Sequence, residues 1–214
     1  SLINSLMPEM ITKKLNDGET EISFDVPKAT ILFATISNWD ELLSKIDHSQ
    51  IIILLNTIFS SYDSLLQNFE TLTKIKTIGP TYMVAGGLFH DPSINSAQHI
   101  IEFGLQIFSA IDGICKEIGE TIQISIGVNT GPMSCGILGN IRPVFDIVGN
   151  TINLAYILTE NDTPGHILIS ETTYEDIKFL TFSIREGTEI KYKEKHVKTY
   201  SIVFGGISGK SSLL

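Results

Sequence analysis

The stretch ATILFATI, residues 29–36, is a continuous apolar run bounded by polar residues. Apolar side chains at consecutive positions, rather than at alternate ones, are typical of a strand that is covered on both faces. We therefore expect residues 29–36 to form an interior strand of a sheet. Other elements of the chain must then cover this strand from two sides.

Two long helices are predicted by the spacing of apolar residues. From Ser49 to Phe69 apolar residues recur at i, i+3, i+4 and i+7 through five turns. A second stripe of the same kind runs over residues 97–118 and ends at Gly119, a typical helix stop. Helices with one apolar stripe have to lie against an apolar surface, which the sheet would provide.

A hairpin and a further strand follow from local patterns. TLTKIKTI (71–78) and YMVAGGL (82–88) flank the turn residues Gly79-Pro80-Thr81, and this arrangement predicts a β-hairpin. In TIQISIGVNT, residues 121–130, apolar residues alternate with polar or small ones. The alternation predicts a strand with one buried face.

The remaining elements complete a mixed fold. Further strands are expected at 133–139, 144–148, 166–169 and 199–204, and helices at about 150–160 and 170–179. The order is β-α-α-β-β-α-β-β-α-β-α-β, with hairpins between neighbouring strands. We therefore expect an α+β fold: a mostly antiparallel sheet with packed helices, related to the ferredoxin-like plan.

The chain divides into three parts. Residues 1–24 are expected to form a helical lead-in segment, residues 25–204 the main domain, and residues 205–214 a flexible tail. The tail sequence GGISGKS (205–211) resembles a phosphate-binding loop, but the loop motif would need glycine in place of Phe204. We assign it no nucleotide-binding role.

Composition excludes several classes of function. The formal net charge is -9, whereas binding a nucleic-acid backbone requires clustered Lys and Arg, so no nucleic-acid partner is expected. The longest dense apolar run, residues 51–59, is much shorter than the roughly 20 residues that span a bilayer. With no signal peptide visible, a cytoplasmic location is expected, either alone or as the cytosolic domain of a larger membrane protein.

Cysteines and histidines give no sign of a zinc site. Cys115 and Cys135 form no CxxC pair, and we expect both to be small buried apolar residues. The five histidines lack metal-ligand spacing.

Three stretches together resemble the catalytic domain of the class III nucleotide cyclases, which are adenylate and guanylate cyclases. They are ATILFATIS (29–37), KIKTIGPTYMVAGGL (74–88) and SIGVNTGPMSCGILGNIRPVFDIVGNTINLA (125–155), and the order and spacing agree over about residues 25–204. The resemblance implies the ferredoxin-like class III cyclase fold. It also implies a head-to-tail dimer with nucleotide sites between the two domains, and conversion of ATP to cyclic AMP and pyrophosphate.

The resemblance also identifies positions where the chain departs from the family. Two aspartates of the family bind Mg²⁺ or Mn²⁺ ions, and their positions are occupied here by Thr35 and Pro80. A neutral hydroxyl is a poor ligand for a divalent cation and a proline side chain is none, so metal binding is expected to be lost or weak. The family's ribose-orienting asparagine is present as Asn153, but Ile157 replaces the arginine that stabilises the transferring phosphoryl group.

Other nucleotide-contacting positions are retained. Lys76 and Asp146 match the pair that reads adenine in adenylate cyclases, and Lys193 aligns loosely with a lysine that contacts the triphosphate. Lys76 and Lys193 are also compatible with solvated surface lysines, and Asp146 with a turn or cap residue. Asn153 could equally be a surface amide of its helix.

Three hypotheses follow. The first is an adenylate-type cyclase domain that is catalytically impaired and acts as a regulatory or dimerisation module, in a homodimer or a heterodimer with another cyclase domain. The second is an active cyclase with non-standard metal ligands such as Asp40 or Glu41, which follow the first strand. The third is a pure interaction domain without a nucleotide site, because these acidic side chains would compete with a triphosphate.

Overall fold

The predicted interior strand lies in the middle of the sheet. The computed structural model of the chain describes residues 8–19, 21–90, 93–139 and 141–203. The helices are α1 (Glu9–Asn16), α2 (Trp39–Lys45), α3 (His48–Leu66), α4 (Ser96–Ile118), α5 (Asn150–Glu160) and α6 (Glu171–Ile177). The strands are β1 (Ser23–Ile36), β2 (Leu72–Ile78), β3 (Thr81–Gly86), β4 (Ile124–Leu138), β5 (Val144–Val148), β6 (His166–Ser170), β7 (Ile184–Glu186), β8 (Ile190–Tyr192), β9 (Lys195–Val197) and β10 (Thr199–Val203).

Eight strands form one mostly antiparallel sheet. Its order is β2-β3-β1-β4-β6-β10-β7, and β5 pairs with β4 outside this path. Within the described parts of the chain, β4 with β6 is the one parallel pair of the sheet. The predicted α+β class is therefore confirmed. Strands β8 and β9 form a separate two-stranded ribbon.

Helices and loops cover both faces of β1, as its apolar sequence predicts. Helices α3 and α4 pack on one face, where Leu32, Ile58 and Phe103 are buried. The opposite face is covered by α1, α5 and the β4–β5 hairpin. Its buried residues include Ile11, Ile31, Phe33, Phe145 and Ala155.

Strand β4 differs from its prediction. Alternation over residues 121–130 predicted one buried face, but every residue from Ile124 to Thr130 is buried. The reason is that α5 packs against the second face at very short distance. A Cβ atom at Gly127 would lie 2.3 Å from the backbone nitrogen of Thr159 and 2.4 Å from the carbonyl oxygen of Ala155. The small residues are required by this contact and do not indicate exposure to water.

Two strands are longer than the patterns indicated. β1 begins six residues before position 29, at Ser23, because its first residues also pair with β4 across a register shift between Val26 and Ala29. The strand predicted separately at 133–139 is the continuation of β4. Helix α2 agrees with the two helices predicted between the first strand and the hairpin. Strand β7 and the β8–β9 ribbon were not predicted, because strands of three residues are too short to show periodicity.

The long helices agree with their predictions to within a few residues. Helix α4 begins after Asn95, whose side-chain oxygen accepts a hydrogen bond from the Gln98 N–H. It ends at Gly119, which has φ of 75°, a left-handed conformation that favours glycine.

Helix α1 supplies the described part of the lead-in. It follows Pro8 and ends near Gly18, and its Ile11 is fully buried against the sheet. The expected tail, residues 205–214, and its GGISGKS sequence lie outside the described residues.

Cys135 is buried as expected, and burial raises the pKa of its thiol to about 11. Cys115 is half-buried and its sulfur accepts a hydrogen bond from the N–H of Ile122. Both therefore serve as packing residues.

None of the helices within the described ranges is both long enough and apolar enough to cross a lipid bilayer.

The core contains one polar atom without a partner among the described residues, the hydroxyl of Tyr62. Tyr62 is 1% exposed, and burial raises the pKa of its phenol far above the ordinary range. A buried hydroxyl without a hydrogen bond costs about 1–3 kcal/mol. Tyr62→Phe should therefore raise the free energy of unfolding by about 1 kcal/mol, measured by urea denaturation.

A matched control lies in the adjoining ring. The Tyr82 hydroxyl donates to the carboxylate of Asp63, and the two tyrosine rings pack edge to face with centroids 5.3 Å apart. Tyr82→Phe should therefore lower stability, because it removes a donor from that carboxylate. A loss of stability in Tyr62→Phe as large as that in Tyr82→Phe would contradict the assignment.

Candidate functional site

The end of β1 lies beside the tip of the β2–β3 hairpin. Thr35 is paired with Thr81, and the N–H of Ile36 donates to the carbonyl oxygen of Pro80 at 3.2 Å. The structure therefore places positions 35 and 80 next to each other. These are the positions that the sequence comparison assigned to the two metal-binding aspartates.

The side chains at these positions do not fit a divalent cation. The hydroxyls of Thr35 and Thr81 are 2.8 Å apart and hydrogen-bond to each other. Both are neutral, and Pro80 offers no ligand atom, whereas Mg²⁺ requires carboxylate oxygens. The described residues also contain no group of three or more His, Cys, Asp or Glu side chains that could hold a metal ion.

The turn after β1 is fixed by Asn38. Its amide nitrogen donates to the carbonyl oxygen of Thr121, and its amide oxygen accepts from the N–H of Gln123, both at 2.9 Å. Asn38 is the residue before α2, but its side chain makes no cap hydrogen bond. It instead ties the end of β1 to the segment that leads into β4.

Helix α2 places two carboxylates in its first turn. Glu41 forms an ion pair with Lys45 at 2.5 Å, and this neighbour lowers the pKa of the Glu41 carboxyl. Asp40 is exposed. The acidic first turn predicted from the sequence is therefore present at the end of β1.

Helix α5 carries Asn153 and Ile157 at positions four residues apart. Asn153 is exposed, and its side chain has no hydrogen bond within the described parts of the chain. Ile157 is half-buried in a small apolar cluster with Leu158, Leu168 and Ile190. A side chain at position 157 therefore packs under β8.

A buried polar network holds α5 against β4. The amide nitrogen of Asn129 donates to the carbonyl oxygen of Thr151 at 2.9 Å, and its amide oxygen accepts from the hydroxyls of Ser170 and Thr172. The Thr151 hydroxyl in turn donates to the carbonyl oxygen of Pro132 at 2.6 Å. The first turn of α5 is thus fixed relative to β4 and to the start of α6.

Lys76 and Asp146 are brought together. The Lys76 Nζ lies 2.6 Å from Asp146 Oδ2, and Asp146 Oδ1 accepts from the N–H of Ile147 at 2.8 Å. The Asp146 side chain is 17% exposed and that of Lys76 is 36% exposed. This ion pair joins β2 to β5. Each of the two side chains neutralises the charge of the other.

Lys193 lies at the turn of the β8–β9 ribbon. It has a positive φ of 55°, and its Nζ donates to Asn150 Oδ1 at 2.7 Å. The ribbon turn therefore contacts the first residue of α5. The ribbon is a separate two-stranded sheet, whereas Thr35 lies on β1 of the main sheet.

Two residues near α5 were missed by sequence reasoning. Asn129 lies in an alternating strand pattern, where an amide suggests exposure. Asp162 follows α5, and its Oδ2 accepts from the N–H of Ile126 at 3.0 Å. Burial raises the pKa of the Asp162 carboxyl to about 7, although its backbone hydrogen bonds act in the opposite direction. No local sequence signal distinguishes it from a loop carboxylate.

Comparison with known families identifies the domain. Residues 23–204 match the family model of the adenylate and guanylate cyclase catalytic domain. The chain belongs to the class III nucleotide cyclase family.

Related cyclases of both nucleotide types are similar to this domain. It is 28% identical over 205 residues to human guanylate cyclase soluble subunit beta-2, covering 95% of the chain and 33% of that protein. It is also 28% identical to an adenylate cyclase of Mycobacterium bovis, covering 92% of the chain and 44% of that protein. The chain thus spans less than half the length of these two relatives.

Solved cyclase structures share the fold. The catalytic core of a rhodopsin-guanylyl cyclase with converted specificity, in complex with ATPαS, superposes with a TM-score of 0.77 at 30% identity, covering 85% of this chain and 97% of that one. A non-canonical dimeric guanylyl cyclase domain of the RhoGC fusion protein from Blastocladiella emersonii superposes with a TM-score of 0.75 at 28% identity, covering 84% of this chain and 97% of that one. The ferredoxin-like cyclase fold expected from the sequence is therefore confirmed.

The raised pKa of Asp162 makes the stability of the domain depend on pH. In the unfolded chain this carboxyl has the ordinary aspartate pKa of 3.8, whereas burial in the folded domain raises its pKa to about 7. The free energy of unfolding should therefore fall as pH rises from about 4 to about 7. Asp162→Asn should remove this loss, because the amide oxygen still accepts from Ile126 and carries no charge.

The measurement is chemical denaturation of both proteins at several pH values. The stability of Asp162→Asn relative to the unaltered domain should increase between pH 4 and pH 8. The same substitution at Asp112, which is exposed on α4, is the control for an equal change of charge at the surface. A flat difference for Asp162→Asn would show that its carboxyl titrates normally.

Proposed function

We propose that this domain is an adenylate-type cyclase domain that is catalytically impaired and acts as a regulatory or dimerisation module. Its partner is a second copy or another cyclase domain. Its place in the cell under this proposal is the cytoplasm, alone or as part of a longer protein. The observation that carries the proposal is the hydrogen bond between the Thr35 and Thr81 hydroxyls at the end of β1.

The hydrogen bond bears on catalysis through charge. In the family, the two metal ions activate the ribose 3′-hydroxyl and neutralise the triphosphate, and they are held by carboxylates. Here the corresponding surface has two neutral hydroxyls that satisfy each other and a proline ring. Without anionic ligands this surface should not hold the two metal ions, and the transition state then loses the stabilisation that the ions provide. No single remaining polar group should compensate for that loss.

Position 157 supports the same conclusion independently. The resemblance places a phosphoryl-stabilising arginine there, and the structure has Ile157 packed with Leu158 and Ile190. An apolar side chain held in an apolar cluster cannot interact with a developing negative charge. The impairment therefore affects two separate groups of the catalytic machinery.

Adenine preference is supported by Lys76 and Asp146. An ammonium can donate to the adenine N1, and a carboxylate can accept from the 6-amino group. Guanine presents a donor at N1 and an acceptor at O6, which is the opposite pattern. Sequence identity does not choose between the two nucleotides, because the human guanylate cyclase subunit and the Mycobacterium bovis adenylate cyclase are each 28% identical to this chain.

One observation favours the pure interaction domain as a second candidate. Lys76 and Asp146 form an ion pair with each other. This ion pair has to break before the two side chains can hydrogen-bond to a nucleotide base. By contrast, recruitment of Glu41 as a metal ligand is not favoured, because its carboxylate is paired with Lys45.

The test of impaired catalysis is the restoration of the missing charges. The unaltered chain should give no measurable conversion of ATP to cyclic AMP with Mn²⁺. The triple variant Thr35→Asp, Pro80→Asp and Ile157→Arg should gain activity, because it provides the two carboxylates and the cation on the existing scaffold.

A neutral triple variant, Thr35→Asn, Pro80→Asn and Ile157→Met, is the matched control, because it disturbs the same positions without adding charge. Circular dichroism checks that both variants fold. Turnover by the unaltered chain alone would refute the proposed impairment.

Nucleotide binding is tested separately by calorimetry. We expect the unaltered domain to bind ATP saturably and more tightly than GTP, and Lys76→Ala to weaken ATP binding at least tenfold. Lys74→Ala is the control on the same strand, since Lys74 pairs with Asp63 on α3 at 2.7 Å. If ATP does not bind at all, the interaction-domain candidate is favoured instead.

A further inference from the structure

Two tyrosine rings lie face to face near the surface of the domain. Tyr174 on α6 and Tyr200 on β10 have ring centroids 3.9 Å apart, and their ring planes are inclined by only 7°. Aromatic pairs more often adopt offset or edge-to-face arrangements, with centroids about 4.5–7 Å apart. We call Tyr174 and Tyr200 the stacked pair. The ring carbons of each residue in this pair face those of the other at short distance.

The other tyrosine pair of the domain has a different geometry. The rings of Tyr62 and Tyr82 lie edge to face, with an angle of 87° between their planes and centroids 5.3 Å apart. Both of these residues are fully buried in the core. The stacked pair therefore differs from Tyr62 and Tyr82 in two respects, because its rings are parallel and they are not enclosed by the core.

Two well-anchored elements hold the stacked rings. Tyr200 lies on β10, where it pairs with Ile169 of β6 on one side and with Glu186 of β7 on the other. Helix α6 begins directly after β6, and the hydroxyl of Ser170 caps this helix by accepting a hydrogen bond from the N–H of Thr173. Strand pairing and the helix cap therefore fix the backbone beneath one ring relative to the backbone beneath the other.

The stacked pair lies at the margin of the core, within reach of solvent. Both rings pack against the apolar core beneath α3 and α4, and both residues are half-buried. Partial burial raises the pKa of the Tyr200 phenol, so this hydroxyl keeps its proton at neutral pH. Oxidation of this ring therefore has to remove a proton together with the electron.

Parallel phenol rings at short distance are arranged for oxidative coupling. A one-electron oxidant takes one electron and one proton from each phenol and leaves two phenoxyl radicals, whose unpaired electrons lie partly on the ring carbons beside the C–O bond. The two radicals combine by forming one carbon–carbon bond, and the hydrogen of each bonded carbon moves to a phenoxyl oxygen, which restores both phenols. The net reaction removes two hydrogen atoms. A haem peroxidase transfers the two electrons and two protons to hydrogen peroxide, which becomes two molecules of water.

We propose that the stacked pair is an oxidative modification site, at which a one-electron oxidant of the peroxidase type forms a dityrosine cross-link within one chain. Coupling within the molecule is favoured by proximity, because the fold already holds the two rings together. The cross-link closes a loop over residues 174–200, which contains β7 and the β8–β9 ribbon. Like a disulfide, a closed loop restricts the unfolded chain, so the modification should stabilise the domain.

The test is oxidation of the purified chain by a haem peroxidase with an equimolar amount of hydrogen peroxide. The monomeric product should gain dityrosine fluorescence and lose the mass of two hydrogen atoms, and proteolysis should release a linked peptide pair that joins positions 174 and 200. Tyr174→Phe and Tyr200→Phe should each abolish this product, because phenylalanine keeps the ring but has no phenol to oxidise. The cross-linked monomer should unfold at a higher urea concentration than the untreated chain.

The matched control is Tyr156→Phe, which removes a tyrosine that is 43% exposed and packs against Phe33. This variant should form the intramolecular cross-link as the unaltered chain does. The inference is overturned if the unaltered chain gives no dityrosine, if it gives only cross-links between molecules, or if the intramolecular product persists in Tyr174→Phe. None of these results bears on the measurements of turnover and ATP binding, so the proposed function is tested independently.

Discussion

The position of β1, hydrogen-bonded on both edges and covered on both faces, determines the rest of the structure. Its registers with β3 and β4 place Thr35 opposite Thr81 on one side and Ser125 on the other. A one-residue slip in either pairing would turn every buried side chain of β1 towards the wrong layer. Because both faces carry apolar residues in a core, the register is strongly specified, and the geometry at the strand end follows from it.

This constraint explains why the cyclase arrangement of strands and helices does not depend on the side chains at the end of β1. Neighbouring strands and the hairpin tip are positioned by backbone pairing, and α5 is positioned by its contact with Gly127 and by the hydrogen bonds of Asn129. None of these interactions requires a charged side chain at position 35, 80 or 157. The hydroxyls of Thr35 and Thr81 form a neutral contact between β1 and β3 at this point. The fold of this chain therefore does not determine which reactive groups its surface carries.

Much of this was accessible from the sequence because it depends on long patterns. The apolar run at 29–36, the stripes of α3 and α4, and the turn at Gly79-Pro80 identified the main elements, and the motif comparison identified the neighbouring positions 35 and 80. The burial of β4 on both faces could not be predicted from the sequence, because small residues occur in strands both where they face water and where a helix packs closely against them. The direct ion pair between Lys76 and Asp146 could not be predicted from the sequence either, because these residues are 70 positions apart and their strands come together only in the folded domain.

The close approach of α5 to Gly127 has an evolutionary consequence. Any larger residue at this position would force the helix away from the sheet and displace Asn153 and position 157 together, so substitution there would damage the whole fold. Changes at the ends of strands and on the helix surface carry no such penalty. Selection for a folded domain therefore conserves the position of α5 and of the surface that carries Asn153, independently of any selection on the chemistry of that surface.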